Sequence, residues 1–379
     1  MKTAIFKLSG EEWSVHPQSE SYDFEKAQLV LCFASKEILA SNGVYEKIKK
    51  KFPSSQISLC STAGEIFYDS VEDNSLIASA LFFDKTNIQT AVVNINDFNN
   101  SYNAATALIK KLPPEDLSYI LVLSDGSLVN GSDLVKGLND AAENKTLITG
   151  GLAGDGPNFA STLVGLNSQP SQGTIVAIGF YGNKIIVTHG SQGGWDTFGP
   201  ERIVTRSSEN ILFEIDHKNA LDTYEKYLGP DADQLPGSAL LFPLSVIIPG
   251  SNQPVTRTIL SIDREKNSMT FAGDIPEGSK VRFMKANFDK LSAAASNAAQ
   301  NTLTKDKTKP SFSLLVSCVG RKLILGPRID EEVEAVKETL GNQTVISGFY
   351  SYGEISPFNE GGDCQLHNQT MTITSFYEL

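Results

Sequence analysis

The chain has 379 residues, a formal net charge of −12 and a sequence pI near 4.9. The one dense basic run, Lys47 to Lys51, is interpreted as the solvated face and C-terminal turn of a short helix, so this acidic balance excludes a nucleic-acid-binding surface of the usual basic kind. No run of about 18 apolar residues occurs, and residues 1–10 lack the apolar stretch of a signal peptide, so we expect a cytoplasmic protein without membrane insertion.

Four cysteines are present, Cys32, Cys60, Cys318 and Cys364, and no two of them form a CxxC pair. Metal binding through cysteine is therefore not expected. The first three lie in or at the end of apolar runs, where a thiol usually packs as a small hydrophobic group, and this pattern fits a reducing compartment. Cys60 also ends its run at a glycine-bearing turn, so a nucleophilic role for its thiol stays open.

Taken in chain order, residues 1–27 are polar and predict an irregular lead-in. Apolar runs follow, which predict strands, and a helix is expected to end near residue 52. The strands predicted in this first part are 28–34, 56–60, 76–83 and 88–95.

The same order of elements recurs twice further along the chain. The second copy predicts helices 104–112 and 133–142, with strands 119–123, 146–149, 161–166, 173–181 and 184–189. The third copy predicts strand 313–317, helix 328–340 and strands 344–347 and 369–377. The segment between these copies predicts a hairpin of 202–206 and 210–215, helices 220–228 and 289–303, and further strands.

One unit of strand, helix, strand, glycine-rich turn and further strand is therefore present three times. Each turn ends in glycine followed by an acid, and the turns are residues 60–65, 150–155 and 348–354. Helices between strands predict an α/β (α+β) fold of layered mixed and antiparallel sheets flanked by helices. We expect a lead-in at 1–27, an N-terminal domain at 28–215 and a C-terminal domain at 216–379.

The third turn is the richest candidate for a ligand site. Phe349, Tyr350 and Tyr352 lie between two glycines, and Gly353 is followed directly by Glu354. Because tyrosine combines an apolar face with a polar tip, this lining suits a ligand with an apolar body and one polar or charged group. The competing interpretation is a strand–turn–strand corner whose aromatic side chains fill the core.

Further candidates lie near the turns. His367 and Asn368 follow the third turn, and Gly154 and Asp155 close the second. Trp195 lies in a glycine-rich loop, where it either plugs a seam between sheets or covers a pocket.

No cofactor is expected, with haem as the alternative. His367 could serve as its axial ligand in a pocket formed by the aromatic residues of the third turn, and His189 is the second candidate. The other interpretation of His367 is a hydrogen bond to the backbone at the start of a strand.

Other chemistries have less support in the sequence. The four histidines are scattered, so no metal site is predicted, and no nucleotide-binding motif follows a strand. A hydrolase would need an activated nucleophile, for which the chain offers Cys60, or Ser191 close to His189, without a G-x-S-x-G motif. We therefore predict no catalytic residues.

Together these motifs resemble those of a known family. The motifs are residues 125–132, 150–155, 189–191, 194–200, 241–244, 271–278, 348–355 and 366–371. In their order the chain resembles stand-alone bacterial proteins with N- and C-terminal FIST domains, where FIST stands for F-box and intracellular signal transduction. The resemblance covers residues 25–379.

The resemblance implies a sensory, ligand-binding protein rather than an enzyme. Members of this family resemble input modules for histidine kinases or cyclic-dinucleotide enzymes, and amino acids are among their proposed ligands. Since the chain shows no kinase, cyclase or coiled-coil segment, we expect it to signal to a separate protein. In this hypothesis Glu354 meets a ligand ammonium group, and Tyr350 and Tyr352 cover the apolar part. The alternatives are a haem-binding nitric-oxide sensor, through His367 or His189, and a hydrolase.

Overall fold

The computed structural model describes residues 1–19, 22–235, 237–306, 308–359 and 361–379. Its helices are α1 (Lys36–Ala40), α2 (Val44–Lys51), α3 (Ser101–Ile109), α4 (Gly131–Ala141), α5 (Ala220–Leu228), α6 (Phe288–Thr302), α7 (Val319–Leu325) and α8 (Asp330–Leu340).

The strands of the first half are β1 (Lys2–Ser9), β2 (Glu12–Val15), β3 (Leu29–Ala34), β4 (Gln56–Ser61), β5 (Glu65–Phe67), β6 (Ser70–Glu72), β7 (Leu76–Phe82), β8 (Asn87–Asn94), β9 (Leu117–Ser124), β10 (Leu147–Leu152), β11 (Val164–Leu166), β12 (Thr174–Tyr181) and β13 (Ile185–Gln192). Those of the second half are β14 (Asp196–Ser208), β15 (Ile211–Ile215), β16 (Lys218–Asn219), β17 (Leu244–Ile247), β18 (Pro254–Arg257), β19 (Ile259–Asp263), β20 (Ser268–Phe271), β21 (Lys280–Lys285), β22 (Phe312–Cys318), β23 (Val345–Ser351), β24 (Gly353–Pro357), β25 (Cys364–His367) and β26 (Met371–Glu378).

Three six-stranded sheets share one strand pattern. Each contains a parallel pair, namely β3–β4, β9–β10 or β22–β23, with antiparallel neighbours on both sides. The strand orders are β11-β4-β3-β7-β1-β2, β25-β24-β10-β9-β12-β8 and β6-β5-β23-β22-β26-β13. This arrangement confirms the predicted α/β class of layered mixed sheets and the threefold use of one unit.

The strand that follows each glycine-acid turn joins the sheet of another repeat. After the first turn, β5 pairs with β23 of the third sheet, and after the second turn, β11 pairs with β4 of the first sheet. After the third turn, β24 pairs with β10 of the second sheet. The three repeats are therefore linked in a closed cycle, and each sheet is completed by a strand from another repeat.

The three sheets enclose one shared apolar core. On β3, Leu29, Leu31 and Phe33 face this shared core, whereas the residues between them, such as Cys32, pack against α1 and α2 outside. Successive side chains of a strand point to opposite faces of its sheet, so a strand covered on both faces is apolar throughout. Helices α3, α4, α6 and α8 cover the outer faces of the other two sheets.

A fourth sheet, of β14 to β21, forms a separate layer with its own apolar core, to which α5 contributes. We call residues 196–285 the inserted layer, because the chain leaves the threefold unit after β13 and returns to it at α6. Sheets two and three combine strands from both sides of residue 215. The domain division at that residue stays a prediction.

The expected irregular lead-in at 1–27 differs from the structure, in which β1 and β2 extend the first sheet. β1 pairs with β7 from Lys2 to Leu8, and its residues 3–6 are buried. The apolar stretch here is short and lies between two lysines, so it did not resemble a buried strand. Residues 20 and 21 of this range lie outside the described residues.

The three glycine-acid turns meet at the centre of the molecule, where their backbones are hydrogen-bonded to one another in a ring. The bonds run from Gly154 N to Ser61 O (2.9 Å), Ala63 N to Tyr350 O (2.8 Å), Tyr350 N to Gly64 O (2.8 Å) and Tyr352 N to Leu152 O (3.1 Å). Each turn is therefore bonded to both of the others. We call this arrangement the turn ring.

Two of the three acids fasten their turn to the start of a later strand, which is β7 for Glu65 and β26 for Glu354. Glu354 accepts hydrogen bonds from Ser351 Oγ at 2.8 Å and from the backbone N–H and hydroxyl of Thr370, directly before β26, at 3.2 and 2.9 Å. Glu65 makes the same set of bonds, with the threonine three residues before it and the serine directly before β7. Both carboxyl groups are buried structural clamps.

The second turn departs from this pattern. The residue before β12 is Gly173, and its N–H donates to Asp125 Oδ2 at 3.0 Å instead of to Asp155. Asp125 lies at the end of β9 and also accepts from Thr162 Oγ1 at 2.9 Å. Because Asp125 takes over the clamp, the acid of the second turn is released for other contacts.

Burial raises the pKa of Glu65 to about 7 and that of Glu354 to about 8, although hydrogen bonds to the carboxylates oppose the shift. In the folded protein these carboxyl groups therefore stay protonated up to a higher pH. In the unfolded chain they lose the proton at a pH near the ordinary pKa of 4.5. Their contribution to stability is fully present below that value and is lost as the pH rises through the folded pKa.

Replacing Gly154 by alanine should destabilise the fold, because the new Cβ would lie 2.9 Å from the Ala63 backbone nitrogen. We expect a loss of about 1–3 kcal/mol in the free energy of unfolding, measured by urea titration. Gly237→Ala is the matched control, since a Cβ there meets no atom within 4 Å. Equal midpoints for the two variants would contradict close packing in the turn ring.

Glu354→Gln should flatten the dependence of stability on pH. The free energy of unfolding of the parent should fall, relative to that of the variant, by at most about 1.4 kcal/mol per pH unit between pH 5 and about pH 8. Denaturant titrations of both proteins across this pH range measure the difference in their free energies of unfolding. The contributions of the other titrating groups are the same in both proteins and cancel in this difference. A constant difference would show that Glu354 titrates normally.

Candidate functional site

Two clefts open beside the turn ring. The Tyr352 cleft has a volume of about 330 Å³ and is lined by residues 126–131, Leu152, Phe159, Asn210, Leu260, residues 271–274 and Tyr352. The Lys322 cleft has a volume of about 420 Å³ and is lined by Ser35, Glu37, residues 62–65, Asp73, Asn74, residues 155–158, Val319, Lys322 and Leu323. Volumes of this size suit small ligands.

Tyr352 joins the two clefts through its hydroxyl group. The hydroxyl donates to Asp155 Oδ1, in the wall of the Lys322 cleft, and accepts from the backbone N–H of Phe159 at 2.9 Å. Burial, together with the neighbouring carboxylate, raises the pKa of Tyr352, so the phenol stays protonated at neutral pH. The hydroxyl group is thereby fixed, and the face of the ring is left for other contacts.

Phe159 stacks on that face. The two ring centroids are 4.4 Å apart and the ring planes differ by 17°. Phe159 has a φ of 51°, in the left-handed region that non-glycine residues seldom adopt, and 42% of the residue is exposed. An aromatic residue held in this backbone conformation at the surface is typical of a binding site rather than of a core.

Asp155 holds the loop that carries Phe159. Its Oδ2 accepts from the backbone N–H groups of Ala160 and Ser161 at 3.1 and 3.0 Å, and the ammonium group of Lys36 lies 3.8 Å away. Asp155 therefore shapes the wall between the clefts. It is available for this role because Asp125 makes the bond to the residue before β12.

The polar end of the Tyr352 cleft lies at the start of α4. Asn130 caps this helix by accepting from the backbone N–H groups of Ser132 and Asp133 at 2.9 and 3.1 Å. Its side-chain nitrogen lies 3.5 Å from Asp274 Oδ1, on the inserted layer, and Asp274 N donates to Ser132 Oγ at 3.2 Å. The cleft therefore lies between the threefold unit and the inserted layer, and both contribute to its walls.

Arg257 also fastens the inserted layer to the threefold unit. It is buried and donates to the backbone carbonyls of Asp274 and Leu366 at 3.1 and 3.0 Å. Burial lowers its pKa to about 10, so it remains charged at neutral pH. Arg257 lines a neighbouring cavity and not the Tyr352 cleft.

The mouth of the Tyr352 cleft is apolar. Leu128, Phe159 and Leu260 are all large hydrophobic residues with 40% or more of their surface exposed, and all three line this cleft. Single exposed apolar residues are ordinary, but three around one opening indicate a surface that is covered when a ligand or partner binds.

The Lys322 cleft has a different character. Lys322 Nζ donates to the Ala63 carbonyl of the first turn at 2.9 Å and pairs with Asp73. The amine crosses the turn where Gly64 has no side chain, and a Cβ there would collide with it. This cleft is lined by charged groups of both signs, and within it Lys322 forms an ion pair with Asp73.

Of the residues predicted from the sequence, Tyr352 and Asp155 line clefts, while the rest of the third turn is enclosed. Phe349 lies in the shared core and stacks on Phe33 at 4.7 Å. Tyr350 is fully buried and donates to Glu332 Oε1 at 2.8 Å. For these residues the structure agrees with the interpretation that the aromatic side chains fill the core.

Glu354 does not line either cleft. Its carboxyl group is fully buried and accepts three hydrogen bonds from within the protein, so the expected contact with a ligand ammonium group is not part of this geometry. Gly353 is likewise enclosed beside it, and Gly154 is packed within the turn ring. The third turn supplies one side chain, Tyr352, to a cleft.

His367, Asn368 and Trp195 also lie away from the two clefts. His367 and Asn368 are buried, and Trp195 is half-buried with its indole N–H donating to the Gln369 carbonyl at 2.9 Å. Trp195 directly precedes β14, at the entry to the inserted layer. The adjacent Gly193 carbonyl accepts from Arg321 at 2.5 Å, which anchors the same connection.

The surroundings of His367 do not fit a haem ligand. Its Nε2 donates to the Ser356 carbonyl at 2.8 Å, and burial lowers its pKa to about 4, so the ring is neutral and already bonded. His189 lines a cavity of about 480 Å³ in which the described lining residues include no aromatic side chain. Neither histidine has the apolar aromatic pocket that haem requires.

The nucleophiles considered for a hydrolase are also enclosed. Cys60 is fully buried, and burial raises the pKa of its thiol, which disfavours the thiolate. Ser191 Oγ lies 3.0 Å from Thr372 Oγ1 in a buried pair. Neither group is presented to a cleft described above.

Two further searches concern the described part of the chain alone. Within it, no group of three or more His, Cys, Asp or Glu side chains is arranged to hold a metal ion. None of its helices combines the length and the apolar character needed to cross a membrane.

Several site residues were not identified from the sequence. Asp274 lies in the run 271–278 that carried part of the resemblance, so a motif was present without an assigned role. Phe159 follows the second turn in a segment without periodicity. Lys322 lies in α7, a helix of seven residues, which is too short to give a clear helical pattern.

Comparison with known proteins identifies the family. The model of the FIST N domain matches residues 28–218, and that of the FIST C domain matches residues 220–357. Comparison with curated proteins gives no match.

Two similar solved structures are cyanuric acid hydrolases. One, from A. caulinodans, is 6% identical with a TM-score of 0.34, over 94% of this chain and 91% of that one. The other is 8% identical with a TM-score of 0.33, over 100% and 99% of the two chains. At these values the similarity supports no conclusion about activity.

FIST domains are associated with small-ligand sensing and signal transduction. The two domain models together account for most of the chain, in the order that the motifs indicated. The chain belongs to the FIST family.

Proposed function

We propose that this protein is a cytoplasmic sensor that binds a small ligand in the Tyr352 cleft and passes the signal to a separate protein. The observation that carries the proposal is the position of the cleft, between the threefold unit and the inserted layer, with stacked aromatic rings on one side. Ligand sites commonly lie at such interfaces and combine an apolar lining with a few polar groups.

The lining of the cleft supports recognition of an amino-acid-sized molecule. Leu152, Phe159 and Phe271 offer apolar surface, whereas Asn130 and Asp274 offer polar groups at one end. A ligand with an apolar body and one polar or charged group would contact both ends at once. We propose the ligand type expected from the sequence for this cleft, to which the third turn contributes Tyr352.

Signalling would follow from the two-layer construction. A ligand that touches both layers stabilises the arrangement in which they are close together, and its effect is limited to its differential affinity for that arrangement. The inserted layer joins the threefold unit at two connections near Trp195 and Asn287, so a change in its position would alter the surface around Leu128 and Leu260. We propose that a partner such as a histidine kinase or a cyclic-dinucleotide enzyme reads this surface.

The proposal does not include catalysis. The sequence offered Cys60 and Ser191 as nucleophiles, and both are enclosed by their own neighbours. Haem has no supporting pocket at His367 or His189. A ligand-binding role uses the Tyr352 cleft, which combines aromatic stacking, a carboxylate and contributions from both layers.

Ala272→Trp should abolish ligand binding, because Ala272 lines the Tyr352 cleft and a tryptophan there would occupy much of its volume. A panel of amino acids, amines and small organic acids is screened by thermal shift, and each compound that raises the Tm of the parent is titrated by calorimetry. We expect affinity for such compounds to fall by about tenfold or more in the variant.

Ala40→Trp provides the control, since Ala40 is an exposed residue outside the cleft. Its affinity for the same compounds should equal that of the parent. If every compound that binds the parent also binds Ala272→Trp with unchanged affinity, the ligand site lies elsewhere.

A further inference from the structure

The Tyr352 cleft carries charge of one sign. Among the described residues that line it, Asp274 is the only one whose side chain is charged at neutral pH, and the lining includes no Lys, Arg or His. The other polar contributions come from amides, hydroxyl groups and backbone. A charged ligand would therefore meet a negative group without a compensating positive one.

Asp274 has unused capacity to accept hydrogen bonds. Its Oδ1 lies 3.5 Å from Asn130 Nδ2, a long contact, and in the described part of the chain Arg257 acts on it without a hydrogen bond between the two side chains. An ionised carboxylate offers about four acceptor positions. Among the residues that the structure describes, Asn130 occupies one of them, and Asp274 lines both the Tyr352 cleft and the neighbouring cavity.

The surroundings of Asp274 add negative potential. Burial is the main cause that raises the pKa of Asp274, and the charges of Asp133 and Glu209 add to it, whereas Asn130 and Arg257 lower it. Arg257 donates to backbone carbonyls and lines the neighbouring cavity, so it is not placed to receive a ligand carboxylate in this cleft. An anionic ligand would meet like charge with no counterpart.

The aromatic wall suits a cation as well. The stacked pair of Phe159 and Tyr352 lines the cleft, and Phe271 lines it from the inserted layer. The negative face of an aromatic ring attracts an ammonium group or the polarised CH₂ groups next to it. The carboxylate and the ring faces therefore favour the same kind of ligand.

We propose that the ligand of this cleft is a small organic cation, whose ammonium group is bound by Asp274 and whose apolar body lies against Phe159 and Tyr352. This inference rests on the proposed function, because it names the chemical class of ligand for the same site. It assigns to Asp274 the role that the sequence suggested for Glu354. Charge, and not only shape, then determines which ligands bind.

Two series of small molecules, each with the same apolar group and a different charge, test whether the cleft prefers cations. Calorimetry at fixed ionic strength compares 2-phenylethylamine, 2-phenylethanol and phenylacetate, and repeats the comparison with n-butylamine, n-butanol and butyrate. We expect each amine to bind about tenfold or more tightly than its alcohol, and each carboxylate to bind most weakly. An alcohol or carboxylate that binds as tightly as its amine, or a failure of both amines to bind, overturns the proposal.

Asp274→Asn tests the residue. It should reduce the affinity for the amines by about tenfold or more and leave the affinity for the alcohols unchanged, because only the charge is removed. Glu265→Gln removes one exposed charge from the same layer and should change neither the affinity for the amines nor that for the alcohols. Circular dichroism and the Tm establish that the variants fold. The comparison of probes on the parent protein does not depend on either variant.

Ala272→Trp separates the two proposals. If the alcohols bind as well as the amines and all binding is lost in Ala272→Trp, the cleft is a ligand site and only the preference for cations is wrong. If the amines bind equally well to the parent and to Ala272→Trp, both the site and the preference are wrong. Amine binding that is lost in Ala272→Trp and weakened in Asp274→Asn supports both.

Discussion

The structure depends on a closed set of backbone hydrogen bonds among three turns from distant parts of the chain. Ala63, Gly154 and Tyr350 each donate an N–H to a turn other than their own. A side chain at Gly154 has no space, because its Cβ would lie 2.9 Å from the backbone nitrogen of Ala63. A buried backbone group that lost its partner would cost about as much as a lost hydrogen bond. The positions of both clefts follow from this ring, because its members form their inner walls.

The threefold unit is not used in the same way three times. Glu65 and Glu354 bond to the residues directly before β7 and β26, whereas in the second repeat Asp125 bonds to the residue before β12. Asp155 is left to hold Tyr352 and the loop that carries Phe159. The inserted layer is added beside that same repeat, against the start of α4. Departure from the pattern and contact with the inserted layer therefore occur together, and there the Tyr352 cleft forms.

Much of the fold could be predicted from sequence, because strands such as β3 are apolar on both faces and helices such as α8 are long enough to show periodicity. The site could not. Glu354 is bonded to Thr370, sixteen residues away, and a sequence cannot show that such a partner will enclose a carboxylate that looks suited to a ligand. Asp274 becomes a site residue only because the inserted layer places it against α4, a contact with no local signal.

The exchange of strands between repeats bears on how the chain reaches this state. The strand β5 emerges early during synthesis, but its partner β23 belongs to the last repeat, and β10 likewise waits for β24. Until the C-terminal residues arrive, the growing polypeptide has unpaired sheet edges of the kind that recruit other chains. Folding dominated by such distant pairings is slow, so a nascent form of this protein is a natural client for chaperones.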